Sequence, residues 1–381
     1  MTFDPETATF LIAGPVRIHP RVLRAMSMPS VNHRGEYFHG VVQEIRDLLP
    51  VLFGAKGHQL ILSGSGSAGL EAMYSSLVRK NERTLVLSNG NFGERADQIV
   101  RRYCDRVTTL TAPWGQHIPI DAAAAELAKG DVRAVCVVHN ETSVGLVNDL
   151  AQLAPHVKKS GALFLVDGIS AVAGLPLPIE AWGVDAVVAG SQKGLAAPAG
   201  LALVHLSDRA VKELGPGTFY LNLPEHLKNL EKNDTPWTPA VPLFLALREA
   251  LLILKEEGLD TRLRRTHELA EATRAACQAL QLDLFPDRAH LSDTVTAIRN
   301  PAGLEDAQVR KVLKETYNVE VQGGQGALKG KIFRIGHMGL ASWADLLVAF
   351  AGLERILDHH HRLPRSGASL AAIAERMPAA A

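Results

Sequence analysis

Six short runs of Val, Leu, Ile and Ala recur between residues 59 and 205, with amphipathic stretches spaced among them. The runs at 59–62, 84–88, 134–138, 162–166, 186–189 and 201–205 read as strands, and the stretches at 69–79, 93–103 and 149–159 as helices. Strands this short, apolar throughout and separated by helices are what a largely parallel sheet covered on both faces requires. Gly161, following Lys158 and Lys159, reads as a helix C-cap after a basic last turn. Segment 233–242 (NDTPWTPAVP) is too rich in proline for a helix or a central strand, and a long helix is predicted over about 243–258. Beyond residue 260 the order reads helix, strand, helix, strand, helix, which suits a smaller α/β domain. The alanine-rich tail 365–381 reads as a loose terminal helix. The division expected is an N-terminal segment (1–20), a large domain (21–258), a small domain (259–362) and a tail (363–381), with no internal repeat.

Composition narrows the function. A chain of 381 residues, 47% of them hydrophobic, can bury a core large enough for two domains. Lys+Arg and Asp+Glu are 40 each, so no net field recruits nucleic acid or an anionic membrane. Positive charge at a small-molecule site must therefore come from a few placed residues. Cys104, Cys136 and Cys277 form no CxxC pair and show no metal-ligand spacing; no metal is expected, and the pattern suits a reducing cytoplasm, with Cys136 in a core strand. Residues 1–9 carry acids rather than a basic region leading into an apolar run, and no run of about eighteen apolar residues occurs. Neither a signal peptide nor a membrane span is expected.

Three places carry chemistry. The first is SGSGSA (63–68), between an apolar strand and a helical pattern. Its glycines let backbone N–H groups converge on a helix N-terminus, so the turn can hold a phosphate, although a plain strand–helix junction explains it equally well. It lacks both the Walker lysine and the full GxGxxG spacing. The second is Asp167, at the carboxyl end of a predicted strand, where ligand sites of open α/β sheets gather; a lone Asp there is as often an N-cap. The third is Lys193, in Ala189-Gly190-Ser191-Gln192-Lys193-Gly194, between two predicted strands. Placed among small residues, its amine is expected to lose its charge easily and act as a nucleophile toward carbonyls; a lysine in a surface turn is the ordinary alternative.

Taken together, a phosphate cradle, an acid and a buried lysine are what a pyridoxal-phosphate site needs. At these residues the chain resembles the class V aminotransferases, closest to the alanine–glyoxylate and serine–glyoxylate (pyruvate) enzymes and the archaeal-type aspartate enzymes. The resemblance runs from Ala13-Gly14-Pro15 to Arg334-Ile335-Gly336, through SGSGS, GNFGER (90–95), HNETSVG (139–145), VDGIS (166–170), GSQKG (190–194) and FRIGHMG (333–339). It implies an α/β fold of the fold type I PLP-dependent transferases, with a mostly parallel seven-stranded sheet and a smaller C-terminal domain. It implies pyridoxal 5'-phosphate bound covalently at Lys193, with its phosphate on Ser65, Gly66 and Ser67. Asp167 then faces the pyridine nitrogen, Phe92 stacks on the ring, and Thr142 and Gln192 bond near it. Thr238 is implied to reach the phosphate of the other subunit, so that a homodimer shares the site. Arg334 is implied to clamp the substrate α-carboxylate, with Gly14 beside it. His33 and Arg34 (NHRGEYF) match a pair that handles a distal anion in phosphoserine aminotransferases but also occurs in serine–glyoxylate relatives.

The expected reaction moves an amino group from alanine or serine to glyoxylate or pyruvate. The alternatives are an aspartate or phosphoserine–2-oxoglutarate aminotransferase, a lyase of the same fold, and a catalytically silent scaffold. A cysteine desulfurase needs a reactive cysteine on a mobile loop of the small domain. The only cysteine after residue 136 is Cys277, inside a helical pattern.

Overall fold

A computed structural model describes residues 3–379; residues 1–2 and 380–381, the latter closing the alanine-rich tail, lie outside the described residues. In chain order the strands are β1 (Thr9–Leu11), β2 (His58–Ser63), β3 (Arg83–Ser88), β4 (Val107–Thr111), β5 (Val132–Val138), β6 (Asn140–Glu141), β7 (Leu146–Val147), β8 (Leu163–Asp167), β9 (Ala186–Gly190), β10 (Leu201–Leu206), β11 (Val295–Arg299), β12 (Val319–Gly323) and β13 (Ile332–Gly336).

Seven of them form one sheet in the order β2-β10-β9-β8-β5-β3-β4. Its pairings are parallel except that β10 runs antiparallel to both β2 and β9. The central strands β8, β9 and β10 are buried along their whole length, which is why they read as unbroken apolar runs. Each of the six predicted strands is present. The seventh, β4, escapes the same reading because VTTLT is half exposed at the sheet edge and carries three threonines. Two apolar clusters cover the two faces, one built on the helices Glu36–Phe53 and Val241–Glu257, the other on Gly66–Leu77.

Helix Val241–Glu257 starts slightly before the predicted 243, with Pro242 in its first turn. There the missing proline N–H would have had no partner in any case, so the proline is tolerated. Gly258, at φ 84, turns the chain into helix Leu259–Ala279. Gly161 caps helix Leu150–Ser160 at φ 76, after Lys158 and Lys159, as expected.

The second sheet has the order β1-β12-β13-β11 and its own core. Two of its strands depart from the predicted helix–strand alternation. β12 and β13 follow one another without a helix of the α type between them, and β1 comes from the other end of the chain to pair parallel with β12. Neither β1 nor β12 is long enough to show a clear alternation, β12 burying only Val319 and Val321. The tail is docked rather than loose. Ile373 is fully buried, and the Glu354 carboxylate accepts the N–H of Gly367 at 2.7 Å and of Ser369 at 2.9 Å, holding helix Ala368–Ala374 by its start. Among the described residues, no helix is long and apolar enough to cross a membrane.

Helix Gly66–Leu77 touches the sheet through a glycine. A Cβ on Gly69 would lie 2.7 Å from Val188 Cγ1 of β9 and 2.8 Å from the Ala202 Cβ of β10. Gly40, in the middle of helix Glu36–Phe53, has nothing within 4 Å of that position. Gly69→Ala should therefore cost about 1–3 kcal/mol through overpacking, whereas Gly40→Ala should gain about 0.5–1 kcal/mol by restricting the unfolded chain. Urea unfolding midpoints that move in opposite directions bear this out; a Gly69→Ala chain as stable as the parent would contradict the packing.

Candidate active site

Parallel strands end at one edge, and the sequence places its polar residues just past those ends. β2 runs into SGSGSA, β3 into the helix Asn91–Val100 carrying Phe92, β5 into Asn140, β8 ends on Asp167, and β9 leads to Lys193. These segments surround one cavity of about 150 Å³, whose walls include Ser65, Gly66, Ser67, Phe92, Thr142, Asp167, Gln192 and Lys193. Eight of the predicted site residues, spread over 65–193 in the sequence, thus meet in one place.

One end of the cavity suits an anion. Ser65 is the N-cap of helix Gly66–Leu77 and its side chain caps nothing. The N–H groups of Gly66 and Ser67 stand in the first turn, where a helix offers them no carbonyl four residues back. Gly66 must be small, because a Cβ there would lie 2.6 Å from Ile169 Cδ1.

The middle of the cavity holds opposite charges. Asp167 is 3% exposed, and burial pushes its pKa up. Its Oδ1 accepts the Ile169 N–H at 2.9 Å, so it both caps a turn and faces the cavity. Its Oδ2 meets Arg95 Nη2 at 3.4 Å. Arg95 also lies 4.7 Å above the centre of the Phe92 ring, and its Nε is buried without a partner. Gln192 Oε1 is buried and unpartnered as well. Two orphaned polar atoms in one cavity leave room for a polar ligand.

Lys193 stands half-buried opposite Asp167, its ammonium donating to the Ala13 carbonyl. Burial brings its pKa down to about 8, and the charge of Arg334 acts in the same direction. Gly14 is pressed onto this lysine: it has φ +101, and a Cβ would lie 2.4 Å from Lys193 Cδ. Both backbone and space there demand glycine.

Arg334 arrives from β13 and is 2% exposed. It donates Nη1 to the Thr142 carbonyl at 2.8 Å, and Nε and Nη2 to the Gly323 carbonyl at 3.1 and 2.8 Å. Of five N–H groups this leaves one on each terminal nitrogen. Asn140 ties the same two parts together, donating to the Ser170 carbonyl at 3.0 Å and to Thr294 Oγ1 at 2.7 Å.

Five predicted site residues, Gly14, His33, Arg34, Thr238 and Arg334, are not among the cavity walls; Gly14 adjoins them through Lys193 and Arg334 through the Thr142 carbonyl. Arg34 pairs with Asp234 and donates to the Thr235 carbonyl at 2.6 Å, fastening the proline-rich segment. Thr238 is exposed. Arg95, Glu141, Asn140 and Ser170 are residues the sequence reading passed over. Arg95 lay open to it, three positions after Phe92 and so on the same helix face. Glu141 is fully buried and accepts the N–H groups of Phe92 at 3.1 Å and Gly93 at 2.9 Å, aiming the helix that carries Phe92. Cys277 is fully buried within helix Leu259–Ala279, and burial pushes its thiol up to about 12, which removes it as a nucleophile.

Residues 21–344 match the family model described as Aminotransferase class-V. An uncharacterized aminotransferase of Methanocaldococcus jannaschii is 37% identical over 363 residues, covering 94% of either chain. A serine–glyoxylate aminotransferase of Methylorubrum extorquens is 32% identical, covering 97% of this chain and 96% of its own. The crystal structure of the ureidoglycine–glyoxylate aminotransferase of Bacillus subtilis superposes with a TM-score of 0.91 at 30% identity, over 97% of each chain.

The lysine's environment makes a pH prediction. Because the folded value is about 8, the neutral amine should gain ground as pH rises through 8, well before an ordinary lysine near 10.4. Competitive labelling of the cofactor-free chain with acetic anhydride, read on the peptide containing Lys193, should show reactivity climbing with a midpoint near 8. A midpoint above 10 would contradict the burial.

Proposed function

The chain belongs to the class-V aminotransferase family, and from that premise we propose that it uses pyridoxal 5'-phosphate to move the amino group of alanine or serine to glyoxylate or pyruvate. The observation that carries this reading is the meeting of a helix N-terminus, a buried carboxylate and a half-buried amine in one cavity. The group's phosphate matches the free N–H groups of Gly66 and Ser67 and the hydroxyls of Ser65 and Ser67. Its ring nitrogen matches Asp167, and its aldehyde matches Lys193. When bound, pyridoxal phosphate supplies a carbonyl for an amine to capture and a ring that draws electrons from a substrate carbon.

The chain's own residues do the rest. The Asp167 carboxylate holds a proton on the facing nitrogen, since a buried anion is stabilised by a cation beside it. The Phe92 ring supports one face of the ligand, its position set by Glu141. Thr142 and the unpartnered Gln192 bond near the ring. Lys193 Nζ, increasingly neutral as pH rises through 8, would take the proton from the substrate Cα and deliver it to the carbon on the far side of the substrate nitrogen. The free N–H pair of Arg334 receives the α-carboxylate, next to Gly14.

We read the working molecule as a cytoplasmic homodimer. Its support is a patch of surface aromatic rings, Phe219 at 79% exposure tilted against Trp237 with centres 4.8 Å apart, and Tyr220 stacked on the same Trp237. This patch flanks the segment that presents Thr238, and Thr238 of the partner subunit would close the phosphate end. His33 and Arg34 then serve the shared site by position: Arg34 holds Asp234 and Thr235, just ahead of Thr238. Three buried, unpaired cysteines suit a reducing compartment.

A small neutral donor is favoured because Arg34, the candidate reader of a distal anion, is already engaged. Steady-state assays of alanine, serine and aspartate against glyoxylate, pyruvate and 2-oxoglutarate test this. Alanine or serine with glyoxylate or pyruvate should give the highest kcat/KM. Aspartate with 2-oxoglutarate far ahead of them would overturn the substrate assignment.

A further inference from the structure

Away from the cavity, two imidazoles and a carboxylate converge from separate parts of the fold. His117 lies in the connection that follows β4 of the large sheet. Asp287 and His290 belong to the short 3-10 turn Arg288–His290 and its cap, leading into β11 of the smaller sheet. The ligand atoms of the three all lie within 4.8 Å of one another. His117 Nδ1 is already 3.4 Å from Asp287 Oδ2, and the two imidazole ring centres are 4.4 Å apart. Ligands on one zinc ion, at bond lengths of about 2.0–2.2 Å, sit roughly 3.3–3.6 Å from each other in a tetrahedron. Small rotations of the exposed His117 ring and the half-buried His290 ring cover the difference.

We propose that His117, Asp287 and His290 bind a divalent transition cation of the zinc type, with water completing the coordination. Two imidazoles and one carboxylate are a ligand set that suits zinc, cobalt, nickel and copper rather than magnesium or calcium. The carboxylate is held in place from behind. Its Oδ1 accepts the Ala289 N–H at 3.1 Å, which leaves Oδ2 for the ion. The Asp287 N–H donates to the Gly115 carbonyl at 2.7 Å, so the segment bearing Asp287 and His290 is fastened beside the one bearing His117. Such supporting bonds orient a site before the ion arrives. None of the three residues is a wall of the cavity holding Lys193. The ion would link a loop of the large sheet to the approach of β11, stabilising the folded chain by mass action and leaving the reaction to other residues. Sequence spacing cannot reveal the site, since His117 and Asp287 are 170 residues apart.

Consecutive His359, His360 and His361 offer a second place for the same ions, so the test removes them first. Titration calorimetry of ZnCl2 into the cofactor-loaded H359Q/H360Q/H361Q chain, freed of excess cofactor, should show one equivalent bound and no heat from MgCl2. Adding H117Q or D287N should weaken zinc binding by roughly tenfold or more, and should abolish a zinc-dependent rise in Tm. D287N keeps an oxygen to cap Ala289, and unfolding midpoints in EDTA show whether each variant folds. No saturable binding in the parent of the series, or equal affinity in folded H117Q and D287N chains, would overturn the site.

Discussion

A carboxylate kept where water barely reaches it organises this molecule. Asp167 ends a fully buried strand, and burial raises its pKa. Its direct partners are one N–H from Ile169 and a 3.4 Å contact from Arg95. A buried anion with so little direct pairing costs several kcal/mol, and the cavity in front of it leaves room for a further partner. The surrounding charges follow the same logic. Lys193 and Arg334 are both depressed by burial, Lys193 to about 8, so the lysine can give up its proton while the Arg334 guanidinium keeps its charge. Glu141, buried nearby, opposes the shift of Arg334 and orders the helix that carries Phe92.

The two sheets divide the work and are joined at the site itself. The large sheet supplies the phosphate end, the carboxylate and the amine; β13 of the smaller sheet supplies Arg334. Arg334 reaches across to the Thr142 carbonyl, and Asn140 reaches back to Thr294. The N-terminal segment makes a third seam, pairing as β1 with β12 and then laying Ala13 and Gly14 against Lys193. In the function proposed above, a substrate held by Arg334 has its reacting carbon presented to groups of the other sheet. Movement of one sheet against the other changes that distance.

Much of this was legible in the residues. Strands buried on both faces declare themselves as short apolar runs, and all six predicted in that way are present. Their carboxyl ends then locate Asp167 and Lys193, because parallel strands bring their ends together. Legibility ended where burial was partial or pairing was distant. The half-exposed β4 and the three-residue β1 carry too few apolar positions to show a period. Arg95 and Glu141 stood inside motifs already singled out, yet their roles depend on three-dimensional neighbours: Asp167 for one, the Phe92 and Gly93 N–H groups for the other. His33, Arg34 and Thr238 show the reverse limit. Their pattern suggests a site, but within a single chain Arg34 fastens the proline-rich segment that carries Thr238 instead.

The account rests on Lys193 being the amine that bonds the cofactor. Borohydride reduction of the cofactor-loaded chain, followed by digestion and mass mapping, reads this directly. A stable phosphopyridoxyl label on the lysine of the GSQKG peptide is the predicted result, absent from a Lys193→Ala chain that still binds the cofactor reversibly. A label on another lysine, or a Lys193→Ala chain labelled as fully as the parent, would contradict the account.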